Sequence, residues 1–410
     1  MSGLYIHIPY CKQRCIYCDF YSCATKESKK DYLECLIKEF ECRKQELKEP
    51  ITTIYLGGGT PSTLTKEELS FLFSNILKNK ESFSNKIEDL PLEITFEANP
   101  EHLTKDYLEF LKASTPINRL SLGIQSFNND DLKTIGRKHT KEQAIEAVHQ
   151  AQEIGFNNIS IDIMFNLPNM TKEKWQHNLN QAISLNIQHI SAYSLSVEEG
   201  TMLDTLIKKG KLSIPSEEEQ LNQFDQTIDF LTNNNFEHYE TSNYASLMVN
   251  DESSMVNDKS SMVNGQRLKV NGWRSKHNSS YWNNTPYLGI GASAHSFLGE
   301  ERIWNIANIK EYIERIKSNK PYSEKETLTQ KDKYNEYILV GIRIKEGLNP
   351  NYIKTNFPPT FYTHFQTQAQ KLIKEGLLKQ EIPIKKETPY TLTQEGSHLA
   401  NRIAVNLFID

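Results

Sequence analysis

The chain has no cysteine beyond residue 42, so all six of its cysteines lie near one end of 410 residues. A disulfide framework spreads its cysteines over the fold it staples, so that class is excluded and a reducing compartment is expected. Long apolar runs are missing as well. No stretch approaches the roughly 18 apolar residues that cross a bilayer, and Met1-Ser-Gly-Leu-Tyr-Ile-His-Ile-Pro lacks the basic flank and apolar core of a secretion signal. The expectation is a soluble, cytoplasmic chain. Excess charge of one sign is also absent: 47 basic against 52 acidic residues leave a net charge of −5, too little to draw the chain onto nucleic acid or an anionic membrane.

What is present begins with Cys11, Cys15 and Cys18 in the run His7-Ile-Pro-Tyr-Cys-Lys-Gln-Arg-Cys-Ile-Tyr-Cys-Asp-Phe20. This spacing suits one metal centre contacted by a tight loop. A four-iron cluster usually takes four thiolates, so three would leave one iron open to a small molecule. A structural zinc site wants a second pair of ligands at a distance, which this chain lacks, and ordinary buried thiols need no such spacing. Cys23, Cys35 and Cys42 follow at no ligand-like interval, and the last two, within a helix-like run, read as packed thiols.

Short apolar and β-branched runs predict strands at 4–8, 53–56, 93–97, 119–125, 159–165 and 189–195. Most look too apolar to be half-exposed, as buried parallel strands do. Amphipathic stretches at 31–48, 66–78, 141–154 and 172–183 serve as crossovers between them. The fold class is α/β, read as an open, partial (β/α)6 barrel in preference to a doubly wound sheet. Length allows a second, smaller domain.

In such a barrel, ligands collect at the carboxyl ends of the strands. There stand Gly57-Gly58-Gly59-Thr60-Pro61-Ser62, which lacks the Gly-Lys-Ser/Thr of a P-loop, then Glu97, Gln125 and, twelve residues later, Arg137, with Asp162 in the fifth strand. These offer opposite charges to a zwitterionic ligand. Taken singly, a glycine triplet is more often a turn and a strand-end acid more often a helix cap or a solvated charge.

Cys-x3-Cys-x2-Cys after the first strand and Gly-Gly-Gly-Thr-Pro after the second resemble the radical S-adenosylmethionine superfamily. Tyr5-Ile-His-Ile-Pro9, Glu97-Ala-Asn-Pro100 and Gly123-Ile-Gln-Ser-Phe-Asn128 narrow the resemblance to oxygen-independent coproporphyrinogen III oxidases and their haem-chaperone relatives. It implies that Cys11, Cys15 and Cys18 hold a 4Fe-4S cluster whose open iron is chelated by S-adenosyl-L-methionine. A reduced cluster would then cleave the sulfonium to methionine and a 5′-deoxyadenosyl radical. Tyr5, Gly58 and Glu97 match contacts to one such molecule, and Tyr17, Gly59, Thr60, Gln125, Arg137 and Asp162 match contacts to a second. Ser196 and His295 match further contacts.

Three departures favour the haem chaperones over the oxidases. Phe20 stands where the oxidase has a further cysteine, and only ten residues precede Cys11 where the oxidase carries a long segment. His277-Asn-Ser-Ser-Tyr281-Trp282 matches the His-Asn-x-x-Tyr-Trp motif of the chaperones. An imidazole is a good axial ligand and aromatic rings give the macrocycle an apolar face, so His277 is expected to ligate haem iron beside Tyr281 and Trp282. The plainer reading is a hydrogen-bonded histidine of the surface or the core. His295, in Gly-Ala-Ser-Ala-His295-Ser, is a second candidate ligand.

Met248-Val-Asn-Asp, Met255-Val-Asn-Asp, Met262-Val-Asn-Gly and Lys269-Val-Asn-Gly recur every seven residues. Asn, Asp, Gly and Ser between them disfavour a coiled coil, so 246–273 is expected to be a loosely packed insertion. After residue 300, helices are expected at 308–317, 331–345 and 362–376, with a closing segment at 391–408, resembling the family's winged-helix-like carboxyl domain. The expected domains are 1–235, a haem-motif region at 236–320, and 321–410. The resemblance implies haem, haem-acceptor proteins such as respiratory enzymes, and an electron donor as partners. A homodimer and peripheral membrane association through acceptors stay open, and no nucleic acid is expected.

Overall fold

The computed structural model describes residues 1–23, 29–78, 82–83, 92–248, 272–380 and 388–409, together with the backbone of 262–263 and 266–267. By its internal contacts the chain divides into two units, residues 1–237 with 244–326 and residues 238–243 with 327–410.

In the first unit six strands, β1 (Ser2–Ile8), β2 (Ile51–Gly58), β3 (Glu93–Ala98), β4 (Arg119–Gln125), β5 (Ile159–Phe165) and β6 (His189–Ser194), pair in parallel in chain order. Their helices are α1 (Lys29–Arg43), α2 (Lys66–Ile76), α3 (Lys105–Ser114), α4 (Asn129–Thr134), α5 (Lys141–Glu153), α6 (Lys172–Ser184), α7 (Met202–Lys208) and α8 (Glu217–Asn233). Strand order 1-2-3-4-5-6 is that of a barrel and excludes the doubly wound alternative. Helix starts follow local chemistry: Thr65 with Glu68, Thr140 with Gln143 and Ser216 with Glu219 form capping boxes that satisfy free amides of the first turn.

The barrel stays open because further strands extend the sheet beyond β1 and β6. The chain continues through β7 (Phe236–Glu240), β8 (Asn243–Ser246) and a minimal antiparallel pair, β9 (Met262–Val263) with β10 (Gln266–Arg267). It then forms α9 (Lys276–Trp282), β11 (Tyr287–Ile290), β12 (His295–Phe297), β13 (Glu301–Asn305), α10 (Ile309–Lys317) and β14 (Ser323–Thr327). The resulting sheet has 12 strands in the order β14-β13-β12-β11-β1-β2-β3-β4-β5-β6-β8-β7, with β11 parallel to β1. Apart from β9 and β10, the interior of the 246–273 stretch falls outside the described residues.

The strands are almost wholly buried, as expected. Their two faces differ in chemistry. Ile6, Leu56, Phe96, Leu120 and Ile159 stand in register and pack with Leu36, Leu72, Leu108 and Val148 of the helices. The opposite rows are polar: Tyr5 beside Tyr55 beside Thr95 beside Arg119, then Glu97 beside Ser121 beside Ser160 beside His189. The two-residue period of a strand therefore separates an apolar outer face from a polar inner one.

The second unit is α-rich and winged-helix-like. Helices α11 (Gln330–Gly341), α12 (Pro350–Asn356), α13 (Pro359–Lys374), α14 (Gln394–His398) and α15 (Ala400–Leu407) accompany the antiparallel pair β15 (Leu378–Gln380) and β16 (Tyr390–Leu392). Tyr334, Ile338, Phe365, Leu372, Ile403 and Leu407 form its core. No helix among the described residues is long and apolar enough to cross a membrane.

Candidate functional site

Beyond β1 the chain enters the cysteine loop, whose two ends are pinned to each other. Cys11 N–H donates to Cys23 O at 2.9 Å and Cys23 N–H to Pro9 O at 2.7 Å, while Leu203 N–H of α7 reaches Ile16 O at 2.9 Å. Thr60 Oγ1 lies 3.3 Å from Cys11 Sγ, and Arg137 Nη1 lies 3.7 Å from Cys15 Sγ. All three cysteines are free and half-buried. Burial pushes the Cys11 and Cys18 thiols up; at Cys11 the Thr60 hydroxyl acts against it. Tyr17, also held up by burial, lies close enough to sense Arg137, Cys15 and Cys18. Among the described residues no three ligating groups converge as a single metal ion demands. Three thiols on one loop are the donor set a four-iron cluster calls for, each at a separate iron. Cys35 is buried as expected for a packed thiol, but Cys42 is exposed, a correction, because it falls on the solvent side of α1.

The glycines are a point of close approach and more than a turn. Gly58 has φ +107°, and a Cβ there would lie 2.4 Å from the His7 ring; one on Gly59 would lie 2.8 Å from the Pro9 carbonyl carbon. Without those carbons the end of β2 closes onto β1, with Gly59 N–H donating to Ile8 O and Thr60 N–H to Tyr10 O, both at 2.9 Å.

Glu97 ends up beside this loop. Its Oε1 accepts from Tyr55 Oη at 2.7 Å and its Oε2 from Gly58 N–H at 3.2 Å. Burial, with Asp162 nearby, pushes its carboxyl up to about 7. Asp162 is likewise raised by burial, to about 6, and accepts from Ser121 Oγ at 3.5 Å. Two reluctant carboxylates facing one polar interior form a place for a cation. Arg137 completes the zwitterionic arrangement: it donates to Asn99 Oδ1 at 2.7 Å and to Gly123 O, on the way to Cys15. Gln125 closes β4 in the left-handed region, φ +71°, at a register shift in the β4–β5 pairing. Tyr5 Oη is 3.0 Å from His7 Nδ1, and its ring stacks on Tyr55 at 6.2 Å between centroids.

Ser196 does not join this group. It is exposed beyond β6 and donates to the Glu198 carboxylate. His295 is exposed on β12, close enough for its charge to act on His7.

His277 departs most from its sequence expectation. It is 1 % exposed, with Nδ1 2.8 Å from Thr53 Oγ1 and Nε2 2.9 Å from Tyr281 Oη. Burial and the Arg119 charge push its imidazole down to about 3, so it is neutral, one ring nitrogen donating and the other accepting. Both nitrogens are spoken for, which does not fit an iron ligand as the fold stands. Tyr281 is half-buried, edge-on to Tyr287 at 4.6 Å, and Trp282 is half-buried with an indole N–H that meets no partner among the described residues.

Sequence reasoning passed over Tyr55, Thr53, Glu93, His7 and Asn99. Asn99 and His7 lie inside quoted motifs. Thr53 with Tyr55, and Glu93, Thr95 and Glu97, alternate with apolar residues in the sequence, but which way that row faces was settled only by the fold.

Residues 5–182 match the model of the radical SAM superfamily. Heme chaperone HemW of Bacillus subtilis is 32% identical over 98% of this chain and 98% of its own length. Heme chaperone HemW of Lactococcus lactis is also 32% identical, over 100% of this chain and 98% of its own. Among solved structures, the Escherichia coli radical SAM enzyme coproporphyrinogen III oxidase (HemN) superposes with a TM-score of 0.77 at 23% identity, over 99% of this chain and 90% of that one.

Proposed function

Because the chain belongs to the radical SAM superfamily, in its HemW-type group, we propose that it is a haem chaperone that binds haem and delivers it to acceptor proteins. The observation that carries this reading is that the likeness to the HemW relatives runs the full length of the chain, through the cysteine loop, α9 and the second unit. Haem-dependent respiratory enzymes are the acceptor class, met at the membrane surface by a cytoplasmic chain.

Cys11, Cys15 and Cys18 hold a 4Fe-4S cluster, with S-adenosyl-L-methionine against it. When bound, this pair supplies one-electron chemistry fed by an external donor. The chain's own residues bind and orient. Glu97 receives the methionyl ammonium beside Tyr5 and the Gly58 backbone. Arg137, anchored at Asn99 and Gly123, sets a fixed positive charge beside Cys15. Gly59, Thr60, Gln125, Asp162 and Tyr17 border the same interior and limit access of water to it. By their place in the motifs they would contact a second S-adenosylmethionine.

The oxidase reading is the alternative, and the HemN superposition at 23% identity speaks for the fold alone. Against it, Phe20 takes the place of the oxidase's further cysteine and projects into solvent, 68 % exposed. The test is anaerobic reconstitution of the cluster, then haem titration by absorbance alongside conversion of coproporphyrinogen III with S-adenosylmethionine and reductant. Saturable haem binding without decarboxylation is expected. Decarboxylation without haem binding refutes the chaperone reading.

A further inference from the structure

The His277 ring sits deep in the polar interior of the first unit. On one side it rests against bare backbone of β1, since a Cβ at Gly3 would come within 3.1 Å of His277 Cε1. On another its ring stacks on Tyr55, centroids 5.2 Å apart at 27°. Its backbone N–H and that of Lys276 donate to Glu93 Oε1 at 3.2 and 2.9 Å, so the start of α9 is pinned to the first residue of β3. Thr53 on β2 and Tyr281 on α9 take its two ring nitrogens. Haem iron takes an imidazole through a free in-plane lone pair, and here one nitrogen bears the proton while the other's lone pair already accepts a hydroxyl.

The same contacts lead toward the cluster loop. Tyr55 stands in register with Tyr5 on β1, and its hydroxyl holds Glu97, whose other oxygen holds the Gly58 amide. We propose that His277 is a positioning residue: it locks Tyr55, and through it Glu97, into the S-adenosylmethionine site, and so couples the His-Asn-x-x-Tyr-Trp helix to that cofactor without ligating haem iron. This inference rests on the proposed S-adenosylmethionine and haem binding, and it separates two roles that the motif alone merges.

The test compares wild type, His277→Ala, His277→Gln and Tyr55→Phe after cluster reconstitution. S-adenosylmethionine affinity is measured by equilibrium dialysis, and ferric haem affinity and Soret position by titration. Glutamine keeps one acceptor and one donor for Thr53 and Tyr281, and Tyr55→Phe removes only the hydroxyl on Glu97. S-adenosylmethionine binding is expected to weaken about tenfold in Tyr55→Phe, the loss of one hydrogen bond to a charged group, and comparably in His277→Ala, which leaves Tyr55 without the stacked ring; His277→Gln, which keeps the Thr53 and Tyr281 hydrogen bonds but not the ring, is expected to recover part of the loss. The Soret position of bound haem is expected to be the same in all four. A shifted or lost Soret band in both His277→Ala and His277→Gln, with S-adenosylmethionine binding intact, overturns the inference. If His277→Ala does not fold, His277→Gln and Tyr55→Phe give the same decision. Wild type that binds no haem defeats the chaperone reading alone, because the S-adenosylmethionine arm still reads the role of His277.

Discussion

Glu97→Gln isolates the cost of keeping a carboxylate in the polar interior. Its carboxyl is raised from an ordinary 4.5 to about 7, chiefly by burial and then by Asp162. An acid whose folded pKa is raised binds protons more tightly folded than unfolded, so its stabilising contribution is complete below about 4.5 and is lost as pH climbs through about 7. With 1.36 kcal/mol per pKa unit, the shift amounts to about 3 kcal/mol when complete, of which roughly 2.5 kcal/mol falls between about pH 5 and pH 8. In the protein free of S-adenosylmethionine, Glu97→Gln is therefore expected to flatten the fall in Tm between those pH values, gaining on the parent as pH rises. Glutamine keeps an acceptor for Tyr55 but turns an amide donor toward Gly58 N–H or the Tyr55 hydroxyl, at a cost of about 1–3 kcal/mol that does not depend on pH. The pH slope, and not the Tm at one pH, is thus the quantity to read, by thermal scans in matched buffers. The same variant is expected to bind S-adenosylmethionine about 10- to 100-fold more weakly at pH 8, since a neutral amide replaces the partner of an ammonium. A variant with the parent's pH slope and the parent's affinity refutes both the raised carboxyl and its role as cation receptor.

Asp162→Asn follows the same sign: with its carboxyl raised to about 6, the variant is expected to melt above the parent at pH 7.5 and to converge with it below pH 4, again read by thermal scans. Gly58→Ala places a methyl group 2.4 Å from the His7 ring at φ +107° and is expected to abolish cluster reconstitution, followed by visible absorbance, before it abolishes solubility. Arg274→Ala removes two 2.9 Å donors from the buried Glu237 carboxylate, and a loss of about 1–3 kcal/mol is expected in denaturant titration at neutral pH. A wild-type-like midpoint would show that Glu237 is satisfied by other groups.

The line between what was legible and what was not follows the range of the interactions involved. Capping pairs such as Thr65 with Glu68 act across one helical turn, and both partners stand in the sequence three residues apart. The glycine triplet is legible as a loop open to close approach, but not as one that lets β2 close onto β1, because a carbon clashing with His7 is a contact across about fifty positions. His277 read as a ligand because its motif announces an imidazole near aromatic rings, and no local signal says whether such a ring has a free nitrogen.

By itself the sequence determined the cysteine loop and its three-thiol logic, the six strands with the helices between them, and the positions of Gly58, Glu97, Gln125, Arg137 and Asp162 at or near strand ends; the parallel order that makes an open barrel and not a doubly wound sheet came from the fold. The local part follows from spacing and from apolar runs along single segments. Only the tertiary structure decided that the strands carry a polar inner face, that Glu97 and Asp162 are both held above their usual range by shared burial, and that His277 spends both nitrogens on Thr53 and Tyr281. Each of those depends on which side chains meet from distant segments and on how little water is left between them. Desolvation and hydrogen-bond saturation are properties of the assembled interior, and no stretch of the chain carries them alone.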